Sequence, residues 1–176
     1  MYLRKKTMVN AFWLNTPSIK EAGLKPKITI TDIPGIDEDK IVQIVEEAAY
    51  WRKCNAIHKW FVDNVQNGED DCGQYELHDD KLLELMNLCT DIYGFYLKNR
   101  NNHNAPNKAA QEYAEEKLPC SQGFFFGGQD YNKYYFEKEI KYTIDTLESL
   151  ALQGVHATAE GETVFLPTYY VYSSSW

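Results

Sequence analysis

Leu82, Leu85, Cys89, Ile92 and Tyr96 recur at intervals of three and four residues, the spacing that keeps one face of an α-helix apolar. A helix is therefore predicted from about Asp79. Phe136, Ile140, Ile144, Leu147 and Ala151 repeat at the same period, predicting another long helix that Asp130 caps and Gly154 ends. Lys108 to Lys117 reads as a short helix. It follows an Asn-rich stretch, Asn99 to Asn107, that contains Pro106 and reads as loop. A second pattern, alternation of apolar and polar positions, marks strands. Ile28 and Ile30 alternate with Thr29 and Thr31 between Lys27 and Asp32, and Thr7 to Leu14 is a weaker strand segment. The Val-, Phe- and Tyr-rich stretch from Thr163 to Ser173 reads as a strand pairing with an N-terminal one, with Pro167 at an edge or break.

Between these lies a run with no internal breaker. Pro34-Gly35 signals a turn, Asp37 is an N-cap residue followed by Glu38 and Asp39, and neither Gly nor Pro occurs from Glu38 to Gln66. This predicts one central helix of roughly 43 Å at 1.5 Å per residue, closed by Asn67-Gly68. The fold class expected is α+β: a mostly helical single domain with one long central helix and a small antiparallel sheet from the N- and C-terminal segments. Residues 1–153 form the domain, and 154–176 a strand-like tail packed on it.

On the predicted central helix the apolar stripe of Ile41, Ile44, Val45 and Ala48 runs into Arg52, Asn55, Lys59 and Gln66, while Ile57 and Phe61 point the other way. A buried side giving way to a guanidinium, an amide, an imidazole and an ammonium suits a phosphate or carboxylate ligand. Arg52, Asn55, His58 and Lys59, flanked by Trp51 and Trp60, are the candidate binding residues. The competing reading is a helix whose second half packs on other helices, with Lys59 paired to Asp63 four residues on. Phe124, Phe125 and Phe126, set between glycines in Gly123 to Gly128, either anchor a loop or border the same site. Tyr131, Tyr134 and Tyr135 join Trp51 and Trp60 either as an aromatic layer of the core or as a box for a planar ligand.

Charge narrows the partners. The net charge of −8 disfavours direct binding to nucleic acid or to an anionic membrane, and Arg4-Lys5-Lys6 is the only basic run. Four cysteines, Cys54, Cys72, Cys89 and Cys120, include no C-x-x-C pair. No secretory-type apolar segment follows Met1 to Lys6, which predicts free thiols in a reducing cytoplasm. Cys72 and His78 have no second pair at ligand spacing, so no metal and no cofactor are expected.

Two strings carry a resemblance. The first is Tyr50-Trp51-Arg52-Lys53, Asn55, Ile57-His58-Lys59-Trp60-Phe61-Val62, Asn64-Val65-Gln66, Gly68 and Asp71-Cys72. The second is Leu118-Pro119, Ser121-Gln122-Gly123-Phe124-Phe125-Phe126-Gly127, Asp130-Tyr131 and Tyr134-Tyr135. In this order they resemble a group of tailed-bacteriophage accessory proteins to which no activity is attached. Cys54 stands where a small residue such as Ala is expected, and 154–176 resembles an added tail. The resemblance implies a phage origin and action in the host cytoplasm.

The functional expectation is an acidic accessory protein, not an enzyme, that binds a host protein or a small anionic, nucleotide-like ligand and antagonises antiphage defence. One alternative is a nucleotide or phosphoester hydrolase using His58 as acid or base, with Arg52 and Lys59 stabilising charge. Another is a nucleic-acid mimic presenting Asp37, Glu38, Asp39, Glu46, Glu47, Glu69, Asp70 and Asp71. No membrane partner is expected, and self-association is left open.

Overall fold

The computed structural model describes residues 1–8, 34–37, 41–121, 130–152, 156–159, 162–165 and 168–175. The strand expected at Lys27–Asp32, residues 9–14 of the Thr7–Leu14 segment, the Gly123–Gly128 string with Phe124, Phe125 and Phe126, and the stop at Gly154 all lie outside them. The fold is mixed α+β. In chain order it runs β1 (Tyr2–Met8), β2 (Gln43–Tyr50), α1 (Asn55–Asn64), β3 (Gln74–Leu77), α2 (Asp79–Lys98) and α3 (Lys108–Lys117). A π-helical turn (Tyr135–Ile140) then continues directly into α4 (Lys141–Leu152), and β4 (His156–Ala159), β5 (Glu162–Phe165) and β6 (Thr168–Ser173) close the described chain.

Strands β2, β1, β6 and β3 form one antiparallel sheet in that order, and β4 and β5 form a separate hairpin pair. β1 alternates strictly, with Leu3, Lys5 and Thr7 buried. Register places Tyr172 and Tyr170 of β6 beside Leu3 and Lys5 on the same face. Of the strand expected at Thr163–Ser173, only Thr168–Ser173 (β6) pairs with an N-terminal strand, and that strand is Tyr2–Met8, which shares only Thr7 and Met8 with the expected Thr7–Leu14; Glu162–Phe165 belongs instead to the β4–β5 pair, and β6 lies between β1 and β3.

The long central helix is corrected. Gln43–Tyr50 is a strand, and only Asn55–Asn64 is helical. Glu46, Glu47, Ala48 and Ala49 are tolerated in helices and carry no breaker, so local propensity favours helix. Pairing reverses it: Arg4 lies opposite Glu47 and Lys5 opposite Glu46, and opposite charges facing each other across a strand pair contribute about 0.2–1 kcal/mol each. A bulge between Leu3 and Arg4 in the register leaves Ala48 as the extra residue of β2. Arg4 and Lys5 of the basic run thus lie opposite acidic residues of their own sheet, while Lys6 lies opposite Val45. β3 (Gln74–Leu77) is a further strand that the sequence pattern does not predict.

The remaining helices follow the sequence pattern. Leu82, Leu85, Cys89, Ile92 and Tyr96 are the buried residues of α2. Asn107 caps α3 by accepting from the Ala110 N–H at 2.9 Å. Asn132, not Asp130, caps the π-helical turn, its Oδ1 accepting from the N–H groups of Tyr134 and Tyr135. Ala151 is exposed and Leu150 takes the buried place. Stacked rings tie the elements together: Phe61 of α1 on Tyr172 of β6 at 3.9 Å, and Tyr96 of α2 on Phe136 at 4.3 Å. Such pairs contribute about 0.5–1.5 kcal/mol beyond the area they bury. Trp51 donates to Thr143 Oγ1 at 3.0 Å, holding α4 to the end of β2. Trp51, Trp60, Tyr131 and Tyr135 serve as core layers: Tyr131 and Tyr135 meet edge-on, whereas Tyr134 is 63% exposed.

Candidate functional site

His58 is fully buried on α1, where its Nδ1 lies 2.7 Å from the Tyr172 hydroxyl and its Nε2 3.1 Å from Asp70 Oδ2. Burial, reinforced by the Asp70 charge, pushes the Tyr172 phenol far up, so it keeps its proton and donates to Nδ1. Nε2–H is then the donor to Asp70. Local sequence sets this geometry. Asn67 and Gly68 take left-handed backbone angles (φ 55° and 82°), which glycine adopts without penalty. Gly68 N–H returns to the Val62 carbonyl at 2.8 Å, and the Gln66 side chain holds the Glu69 carbonyl. The tight turn brings Asp70 back beneath α1. The result is a Tyr–His–Asp chain joining β6, α1 and the loop after it, with the imidazole sealed from solvent.

The other residues singled out by sequence do not converge on His58. Trp51 and Trp60 are core residues, and Arg52 is exposed in the turn before α1. Lys59 is half-buried and paired with Asp63 at 2.7 Å, as the i, i+4 spacing anticipated. Asn55, the first residue of α1, is buried and lines a polar cleft between α1 and the π-helical turn. The cationic wall drawn from a continuous helix is therefore absent: its first half is strand, Arg52 lies in the turn before α1, and Lys59 on the helix is paired with Asp63.

Sequence reasoning passed over the edge of the sheet. Among the described residues β2 pairs only with β1, so its outer side carries backbone N–H and C=O groups with no strand beside them. Val42 (55% exposed), Val45 (51%) and Tyr50 (41%) lie on or next to this strand, and Tyr142 of α4 (41%) adjoins it. Beneath it, between β2 and α4, opens a cleft of about 410 Å³ lined by Lys5, Glu46, Glu47, Tyr142, Asp145 and Leu150, among others. Lys5 is 4% exposed, and Asp145 pairs with Lys141. The lining of the cleft thus mixes carboxylates with an ammonium, and Glu46 and Glu47 are themselves exposed along the strand. The signal in the sequence was the matched pair of Arg4-Lys5-Lys6 and Glu46-Glu47, which is legible as strand pairing only once the two segments are known to be neighbours.

The acidic surface of the nucleic-acid-mimic reading is divided. Glu46 and Glu47 belong to β2, while Glu69, Asp70 and Asp71 precede β3 at the opposite edge of the sheet, roughly 14 Å away at the usual strand spacing. Asp70 is engaged with His58. Among the described residues no group of three or more His, Cys, Asp or Glu side chains is placed to hold a metal ion, and no helix is long and apolar enough to cross a membrane. Comparison with protein-family models, with curated proteins and with solved structures finds no match.

Proposed function

We propose that this protein acts by binding a protein partner, an extended basic segment of which adds to the sheet along β2. The observation that carries this reading is an eight-residue strand with no neighbour on one side among the described residues, bearing exposed Val45, Glu46, Glu47 and Tyr50, with exposed Val42 just before it. Exposed sheet edges recruit extended peptides through main-chain hydrogen bonds, and adjacent pockets select the side chains. Glu46 and Glu47 at mid-strand work in two directions. They repel a second copy pairing antiparallel about the strand centre, because like charges would then face each other, and they attract Lys or Arg side chains.

The phage resemblance supplies the biological setting of the proposal: a host-cytoplasmic factor whose part in antiphage defence is blocked by this contact. The burial of His58, with both ring nitrogens engaged, argues against its serving as an acid or base toward an external phosphoester. The dispersal of Arg52 and Lys59 argues against an anionic ligand at the place first considered.

The test is capture of host proteins by the wild-type chain and by Glu46→Gln/Glu47→Gln and Val45→Ser variants, followed by hydrogen exchange on the captured complex. Neutral and polar replacements avoid setting like charges against Arg4 and Lys5. New backbone protection over residues 43–50, and binding weakened about tenfold or more in the double variant and by added salt, is the expected result. A partner held equally well by both variants, with residues 43–50 exchanging as in the free chain, would refute the proposal.

A further inference from the structure

The open side of β2 also constrains what can pair with it. Met1 and Trp51 exchange both backbone bonds at 3.0 Å, so Tyr50, the next residue in, points its N–H away from β1. That N–H is already held by the Tyr142 hydroxyl of α4 at 3.3 Å. An added strand therefore finds its main-chain partners before Tyr50, within residues 43–49. In the middle of that stretch stand Glu46 and Glu47, both exposed. They lie opposite Lys5 and Arg4, consecutive residues of β1 of which Lys5 is buried and Arg4 is not. The two carboxylates therefore leave β2 toward opposite faces of the sheet.

The cations of β1 are turned toward its other neighbour. The Arg4 guanidinium donates to Ser173 Oγ at 2.9 Å and lies over the Tyr2 ring, and the Lys6 ammonium lies over the Tyr169 ring. Ser173 and Tyr169 belong to β6, on the far side of β1 from β2. Among the described residues no ion pair reaches Glu46 or Glu47. β1 nevertheless displays the pattern that matches them, two adjacent basic residues in an extended strand, and a strand on the outer side meets the same two carboxylates in the same alternation. Basic residues separated by one position would both project to one face and meet only one of the glutamates. Resting on the reading of β2 as a docking edge, we infer that the partner segment carries two adjacent basic residues in register with Glu46 and Glu47, and that its pairing ends before Tyr50, where Tyr142 closes the edge. The β1 of a second copy does not fill this role, because it is paired on both sides, between β2 and β6.

The full chain, isotopically labelled, would be titrated with two acetylated, amidated heptapeptides of identical composition: TVKRVTV, with its basic residues adjacent, and TVKVRTV, with them one residue apart. Backbone amide exchange is followed with each. The adjacent-pair peptide is expected to bind about fivefold more tightly and to protect amides within residues 43–49. Its advantage should disappear in added salt and with Glu46→Gln/Glu47→Gln. The Tyr50 amide should be protected in the free chain and unchanged by peptide. Equal affinity of the two peptides for the wild-type chain, with residues 43–49 protected, would overturn the inference and leave the docking edge standing. Protection confined to other residues would overturn both. No binding of TVKRVTV at millimolar concentration, or fast exchange of the Tyr50 amide in the free chain, would overturn the inference as well, and these readings of the wild-type chain need no variant to fold.

Discussion

Two residues show how burial turns reactive groups into structural ones. His58 was the natural candidate for acid–base chemistry, but its partners Tyr172 and Asp70 make it a three-way tie. Tyr172→Phe keeps the ring that stacks on Phe61 and removes only the proton donated to Nδ1. A buried acceptor left bare costs about 1–3 kcal/mol, so chemical denaturation of this variant should show that loss with an unchanged m-value. Wild-type stability would mean that the chain of hydrogen bonds contributes nothing. Glu139 is the converse case, a carboxyl held in surroundings that disfavour its charge. Its folded-state pKa lies above the unfolded value near 4.5, so the folded state binds the proton more tightly. Its contribution to stability is intact below about pH 4.5 and is lost as pH rises through the folded pKa. Glu139→Gln should therefore melt higher than wild type at neutral pH, with the difference vanishing in acid. A Tm difference independent of pH would assign the effect to packing instead.

At the scale of elements, the helices were legible where one face is apolar over several turns. α2 is the clearest instance, because all five residues picked from its spacing are its buried ones. β2 was misread for a physical reason: an eight-residue segment without Gly or Pro has weak local preference, and the energy that decides its state is supplied by β1, more than thirty residues away in sequence. β6 was read correctly as a strand, but its importance was not legible. It lies between β1 and β3 and carries Tyr172, which both stacks on Phe61 and bonds His58. Deletion of residues 168–176 should consequently abolish the cooperative thermal transition and the near-ultraviolet aromatic dichroism. A truncated chain that still unfolds cooperatively would show the sheet to be complete without it.

For the molecule as a whole, net charge is a poor guide until its arrangement is known. The surplus of acidic residues suggested one continuous anionic surface, yet Glu46 and Glu47 answer Arg4 and Lys5 within the sheet, while Asp70 answers His58 at the opposite edge. Among the described residues, separate polar clefts lie beside β2 and beside α1, each lined by carboxylates and by a lysine. Of the described residues among those the sequence singles out as a site, only Asn55 lines either cleft. Tyr135 and Glu139 were readable as an i, i+4 pair on one helical face, but nothing in that spacing indicated that the tyrosine hydroxyl would be left without a partner.

The sequence by itself determined the α+β character and the helices α2, α3 and α4, because periodicity and capping are local properties written in neighbouring residues. Only the tertiary structure decided that Gln43–Tyr50 is a strand, that His58 is enclosed, and that β2 has a single partner strand among the described residues. Those outcomes depend on contacts between segments far apart along the chain, and no single segment carries the energy of its pairing partner.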